Sequence, residues 1–255
     1  MTTMTFPQRC RCYATLLGLA VATGAYAQIN TINSAIIQAR DFNDVPSSSL
    51  SIVDNYPSSI QISDFGVSAP TGFANRHSWR FSNNDNTPYQ FLNNEYFQVS
   101  MTLTLSGSPI TPRKEAGFLF ASTIGGEGQF IVNTDAHEIV AFGGSLPFYA
   151  FPATYDSGET ITLGVNYFLD SSTGLRSIVY SANGVASPVL PFTNLEQGII
   201  NNTTIGGYVQ IVNDSTNPFN AGIANFQNIS AVPEPSTLVL VGIGLFGLLA
   251  IRRKR

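Results

Sequence analysis

Residues 97–105 read FQVSMTLTL, and this run limits the fold more than any other feature of the chain. Phe97, Val99, Met101, Leu103 and Leu105 fall on one side, with Gln98, Ser100, Thr102 and Thr104 on the other. A strict period of two describes a strand with one buried and one wet face, and no helix gathers such a set on one stripe. Residues 160–169 repeat the pattern, with Ile161, Leu163, Val165, Tyr167 and Leu169 inward. Residues 203–212 do so through Ile205, Val209 and Ile211.

Shorter strands are expected at 29–39, 60–65, 77–82, 116–123, 128–133, 137–142, 146–151, 175–181 and 221–231. Turn chemistry separates them: Ser-Gly-Ser-Pro at 106–109, Gly-Gly-Glu-Gly at 125–128, Asp-Ser-Gly at 156–158, Ser-Ser-Thr-Gly at 171–174 and Asn-Gly at 183–184. The middle of the chain is rich in Ser, Thr, Asn, Gly and aromatics and poor in Lys and Glu, which disfavours helices. No helical period and no internal repeat interrupts residues 28–232. One all-β domain of two packed antiparallel sheets is therefore expected. The aromatic-rich central strands, VNYFLDSSTGLR at 165–176 and the closing ANFQNI at 224–229 resemble the concanavalin-like jelly-roll sandwiches over residues 60–230.

The front end sets the compartment. Arg9 and Arg11 precede an apolar run over residues 13–24, too short to span a bilayer. Ala25 and Ala27 are the small residues a signal peptidase reads, so cleavage is expected before Gln28, making residues 1–27 a signal peptide. Both cysteines, Cys10 and Cys12, lie inside this segment, and the exported part must hold together by burial without disulfides. Residues 28–231 are long enough for one core. Between 28 and 232, six basic residues face fifteen acidic ones, a net charge of −9, which argues against nucleic acid as a partner.

The back end reads VPEPSTLVLVGIGLFGLLAIRRKR. Residues 237–251 form an apolar segment slightly shorter than a bilayer core is thick, a mismatch that bilayer thinning and snorkelling absorb. Arg252, Arg253, Lys254 and Arg255 follow at once and are expected to stay cytoplasmic as a stop-transfer cluster. Pro233, Glu234 and Pro235 stand just before the segment, where two prolines keep the backbone extended and out of helix. Pro-Glu-Pro, apolar helix and basic cluster in this order resemble the PEP-CTERM sorting signal of exopolysaccharide-producing Gram-negative bacteria, here over residues 232–255. The resemblance implies recognition of the tripeptide by a membrane-embedded exosortase, transient residence in the inner membrane, and surface display or release. A plain C-terminal anchor would use the same helix. A glycolipid-anchor signal fits the terminal basic cluster poorly.

Chemistry is sparse in the middle. The exported part has two histidines, His77 and His137, and no cysteine nucleophile or paired-histidine metal spacing. Some jelly-roll glycoside hydrolases carry Glu-x-Asp-x-x-Glu. Residues 133–138 match it at Asp135 and Glu138, but Asn133 stands where the first Glu is needed, and an amide is no nucleophile. That segment is expected to be a solvated strand edge. No cofactor is expected; the loops Ser82–Thr87 and Asn213–Asn217 offer hard oxygens of the kind calcium takes. Trp79, Tyr149 and Tyr155 are candidates for stacking on sugar rings, with core packing the plainer role. The expectation is an exported, non-enzymatic β-sandwich with no catalytic residues. Its role would be adhesive or structural, with exopolysaccharide as a partner. The alternative is a secreted carbohydrate-active enzyme, a glycoside hydrolase or lyase, on the same fold.

Overall fold

The computed structural model describes residues 32–83, 86–92, 95–123, 125–192 and 203–233. Among them there are strands and no helix. In chain order the strands are β1 (Ser34–Asn43), β2 (Ser49–Asn55), β3 (Ser59–Phe65), β4 (Ala74–Ser82), β5 (Gln90–Phe91) and β6 (Phe97–Ser108). Next come β7 (Lys114–Ser122), β8 (Gly126–Asn133), β9 (Ile139–Gly143), β10 (Tyr149–Ala150) and β11 (Thr160–Asp170). Last are β12 (Leu175–Ala182), β13 (Val185–Ala186), β14 (Leu190–Pro191), β15 (Thr203–Val212) and β16 (Ala221–Pro233).

They form two antiparallel sheets. The first runs β1-β4-β15-β7-β8-β9-β10, with β5 on β15; the second runs β13-β12-β11-β6-β16-β3-β2, with β14 on β12. This is the expected sandwich. Each sheet joins sequence neighbours, such as β7-β8-β9-β10 and β11-β12-β13, to strands far apart in sequence, such as β4 beside β15 and β6 beside β16.

The three alternating runs behave as their period dictates. Phe97, Val99, Met101, Leu103 and Leu105 are all buried, as are Ile205, Val209 and Ile211. Across the core, Trp79 of β4 in the first sheet meets Phe226 of β16 in the second edge to face at 5.8 Å, and within β4 it also meets Phe81 at 5.2 Å. Such edge-to-face contacts add to area burial. Leu169 departs from expectation and is exposed. The pairing of β11 with β6 ends at Tyr167↔Phe97, so Leu169 lies past the neighbouring strand that would cover it. β2 was not expected; only Leu50 and Ile52 point to packing on this edge strand, too few for a period to show. The Asn183-Gly184 turn takes φ of 48° and 79°, the left-handed pair a two-residue hairpin needs.

The described fold extends to the start of the C-terminal signal. β16 continues to Pro233, so the boundary expected at residue 231 falls inside a strand. The expected signal peptide (1–27) and membrane helix (237–251) lie outside the described residues. No helix among the described residues is long and apolar enough to cross a membrane.

Candidate functional site

The outward-facing side of the first sheet carries an unusual set of side chains. Alternation along β4 sends Trp79 and Phe81 into the core and leaves Arg76, Ser78 and Arg80 outside. On β15 the same rule buries Val209 and Ile211 in the main core and turns Tyr208 and Gln210 outward. Pairing across the strands then arranges three rows. Arg80 stands opposite Gly206, which faces Leu119, which faces Gln129. The next row is Ser78, Tyr208, Gly117 and Ile131, and the third is Arg76, Gln210, Glu115 and Asn133.

Tyr208 occupies the centre of this grid. Its neighbours in the row, Ser78 and Gly117, are small, which leaves room for the ring. A side chain at Gly117 would collide with the carbonyl oxygen of Phe130, and one at Gly206 with that of Trp79, so both positions require glycine. Leu119, Ile131, Val140 and Tyr208 form a small apolar cluster apart from the main core. The Tyr208 hydroxyl donates to Glu115 Oε1 at 3.1 Å, and Gln210 Nε2 donates to the same oxygen at 3.3 Å. Burial holds the Glu115 carboxyl above its ordinary range, with Tyr208 and Arg113 pulling the other way. Burial and the neighbouring Glu115 push the Tyr208 phenol well up.

Arg80 is the exceptional charge. It is only 4% exposed, and its one hydrogen bond among the described residues goes from Nη1 to the Trp79 carbonyl at 3.3 Å. No carboxylate of the described residues lies within ion-pair distance of it. Burial pulls its pKa down to about 10 despite the more distant Asp41 and Glu127. A buried cation with no ion-pair partner among the described residues carries an uncompensated desolvation cost. Arg76, by contrast, is fully engaged: Nη1 meets Glu127 Oε2 at 2.6 Å and Nε meets Asp41 Oδ1 at 3.4 Å. Two strands, β15 and β7, lie between β4 and β8, about 14 Å of sheet. The Arg76–Glu127 bond therefore requires the sheet to curl so that its flanks approach over the middle.

At the rim, Arg113 gathers Asp135 at 2.9 Å, Glu138 at 3.4 Å and Glu115 at 3.6 Å. The expected solvated edge at 133–138 is instead a built turn. Asn133 is buried, its Nδ2 donates to Glu138 Oε2 at 2.8 Å, and its Oδ1 accepts from the Ala136 amide. Asn133 thus completes the third row of the grid through its pairing with Glu115, a placement that the hydrolase-like spacing did not suggest.

The other sequence candidates do not join this face. Trp79 and Tyr155 are core residues, and Tyr149 is half-buried against Phe151. The Tyr155 hydroxyl accepts from the Leu105 amide and donates to the Glu159 carbonyl. His77 points into the core, and His137 sits in the β8–β9 turn facing Asp156. In the loop considered for calcium, Asp214 Oδ1 accepts from Thr216 and Asn213 Oδ1 from the Ala69 amide. Asp85 of the other loop lies outside the described residues. Among the described residues, no three His, Cys, Asp or Glu side chains are grouped to hold a metal ion. Arg80, Tyr208, Glu115 and Gln129 were missed as site residues. Their signal was present only as the outward half of strands whose inward half was read.

At the end of β16 one recognisable segment begins. The chain carries a PEP-CTERM protein-sorting motif at residues 231–255. This motif implies export, a C-terminal sorting region and processing by an exosortase. Pro233, Glu234 and Pro235 fall within it. No curated protein matches the chain. Among solved structures, alginate lyase A1-II′, a member of polysaccharide lyase family 7, is similar at a TM-score of 0.54 with 10% identity, covering 80% of this chain and 97% of that one. A variant of the same lyase with one tyrosine replaced, in complex with product, gives 0.52 and 9%, covering 81% and 97%. The alginate lyase from Corynebacterium sp. gives 0.50 and 8%, covering 81% and 96%. These likenesses are likenesses of fold. The expectation of a non-enzymatic domain, drawn from the sorting-signal resemblance and from Asn133 standing where a glutamate is needed, is overturned by this finding, since the same fold is that of alginate lyases.

Proposed function

We propose that the PEP-CTERM protein is an exported carbohydrate-active enzyme, a lyase of uronate-containing polysaccharide, working on the outer face of the first sheet. The observation that carries this reading is Arg80, a buried guanidinium with no carboxylate partner among the described residues, on the same face as Tyr208 and Glu115. The fold shared with alginate lyases supports it.

A lyase removes the proton next to a uronate carboxylate and expels the glycosidic oxygen on the neighbouring carbon. Arg80 would neutralise the carboxylate and so acidify that proton. Glu115, made more basic by burial, would accept it, and the un-ionised Tyr208 phenol would protonate the leaving oxygen. The C–H and C–O bonds break, a C=C bond forms, and the hydrogen bond between Glu115 and Tyr208 returns the proton to the phenol. Hydrolysis fits less well. It needs two carboxylates free across the scissile bond, but Glu138 is tied to Asn133 and Arg113, and Glu127 to Arg76.

The two ends of the chain support delivery to the outside: signal peptidase cleavage between Ala27 and Gln28, membrane insertion through 237–251, and retention of Arg252–Arg255 inside. The partner there is exopolysaccharide of a Gram-negative bacterium. The test is to incubate the processed protein with alginate, a second polyuronate and a neutral glucan. Ultraviolet absorbance of the new unsaturated uronate and the number of reducing ends are both followed. Unsaturated ends from a uronate polymer, abolished in Tyr208→Phe and Glu115→Gln, are expected. Reducing ends without unsaturation, or no product from any polymer, would sink the lyase assignment.

A further inference from the structure

The sorting motif and the folded domain share residues. The motif begins at residue 231, yet Ala231, Val232 and Pro233 pair with Val99, Gln98 and Phe97 at the end of β16. Ala231 is 1% exposed and belongs to the main core. Between Pro233 and the apolar segment beginning at Thr237 lie only Glu234, Pro235 and Ser236, at most about 11 Å of extended chain. An enzyme that grips the Pro-Glu-Pro tripeptide competes with β6 for Pro233 and for the backbone just before it. That backbone is already committed to the sheet.

The end of β16 is also a distinct piece. The register shifts between Gln227 and Ser230, and Asn228 takes a left-handed φ of 49°. Before the shift β16 is held on both edges, by β3 and β6; from Ser230 onward it pairs with β6 alone. The Asn228 and Ile229 amides are tied to the Ser58 and Pro57 carbonyls, so the bulge is anchored while the pairs beyond it are held from one side.

We propose that residues 230–233 form a latch: when docked on β6 they withhold the start of the sorting motif from the processing enzyme, and processing proceeds only from the undocked state. The bulge at Asn228 is where the latch parts from the rest of β16. Folding and sorting are thereby coupled, because completing the sheet competes with processing for the same residues.

The experiment uses the full chain in a host with a matching exosortase. Val232 and Gln98 face each other directly, at the Cα separation a disulfide accepts, and the exported chain has no other cysteine after signal removal. In Gln98→Cys/Val232→Cys, processing should slow about tenfold or more once the disulfide forms, because only the open fraction is competent. A reductant should restore it. A Gly-Ser-Gly-Ser spacer placed between Val232 and Pro233 of the pinned chain should restore it without reductant. Ala231→Ser, which weakens docking without cross-linking, should be processed faster than the parent chain. Ser100→Cys/Ser230→Cys pins the same piece one pair from the bulge and should slow processing likewise. Disulfide content is read by intact mass, and folding by thermal melting. Pinned chains processed at the parental rate with the disulfide present would overturn the latch, as would a spacer that restores nothing. Neither outcome bears on the lyase reading, which concerns the opposite sheet.

Discussion

His77 Nε2 lies 3.0 Å from Asp64 Oδ2, both side chains fully buried, and this pair joins β4 of the first sheet to β3 of the second. The Arg40 amide donates to His77 Nδ1, so the ring hydrogen is on Nε2 and points at the carboxylate. Asn75 Nδ2 donates to the same oxygen at 2.9 Å. Burial works against ionisation of Asp64, but the bonds from His77, Ser48 and Asn75 outweigh it and lower its pKa. Below the unfolded carboxyl value near 4 the unfolded chain therefore binds the extra proton. Stability is fully present above that value and falls as pH drops towards the folded one. Asp64→Ala, which strands the donors of His77 and Asn75, should cost about 3–5 kcal/mol in urea unfolding at neutral pH. It should also flatten the acid limb of the stability curve. An unchanged acid limb in the variant would show that other carboxylates set it.

Lys114 gives the opposite limb. Its side chain is buried, and Nζ donates to the Pro109 and Pro112 carbonyls, each at 2.7 Å. Burial lowers its pKa from 10.5 to about 8. Between those values the unfolded chain holds a proton that the folded one has released, so stability should rise as pH goes from about 8 to about 10. Melting temperatures across that window should climb in the parent chain and stay level in Lys114→Met. A parent chain that loses stability over this range contradicts the assignment.

What could be read ahead of the structure follows from which half of a strand carries a signal. The inward halves of β6, β11 and β15 are apolar at every second residue, and burial selects that pattern directly. The outward halves are held together by lateral pairing. Arg80 and Tyr208 become neighbours because β4 and β15 pair, and Glu115 and Asn133 because β7 and β8 do. Nothing local to any one strand encodes those pairings. The net charge of the exported part likewise hid the buried Arg80, since totals do not say which carboxylates are spent on Arg76 and Arg113. The sorting motif was legible because its parts are consecutive. That its first residues also finish a core strand was not, since β16 needs β6 to define its end.

The glycines beside Tyr208 should be intolerant in a way that turn glycines are not. Ala at Gly117 or Gly206 would press its Cβ into a backbone carbonyl, and neither Phe130 nor Trp79 can yield without moving its strand. Each substitution should cost about 1–3 kcal/mol. Gly184→Ala has open space around it and meets only the left-handed φ, so about 1 kcal/mol is expected. Equal losses at the three sites in denaturant titrations would mean that the sheet has room at the grid.

The Arg76–Glu127 bond should govern access to the face. Tyr208 and Arg80 are buried beneath a sheet whose flanks are linked by this pair, and Arg80 senses the charges of both partners. A polymer reaching Tyr208 must therefore part the link or pass beneath it. The pair is itself partly exposed, with Glu127 open to solvent, so its loss should change stability by no more than about 1 kcal/mol. Its effect on access should be much larger. Glu127→Gln should raise the rate at which Tyr208 is nitrated in the free protein, and high salt should do the same to the parent chain by screening the pair. The modified residue is identified by peptide mass, with the exposed-ring background taken from Tyr208→Phe. If nitration of Tyr208 is equally slow in Glu127→Gln and in high salt, the ion pair is not the barrier. The closure would then lie in the small apolar cluster of Leu119, Ile131 and Val140 that surrounds the ring.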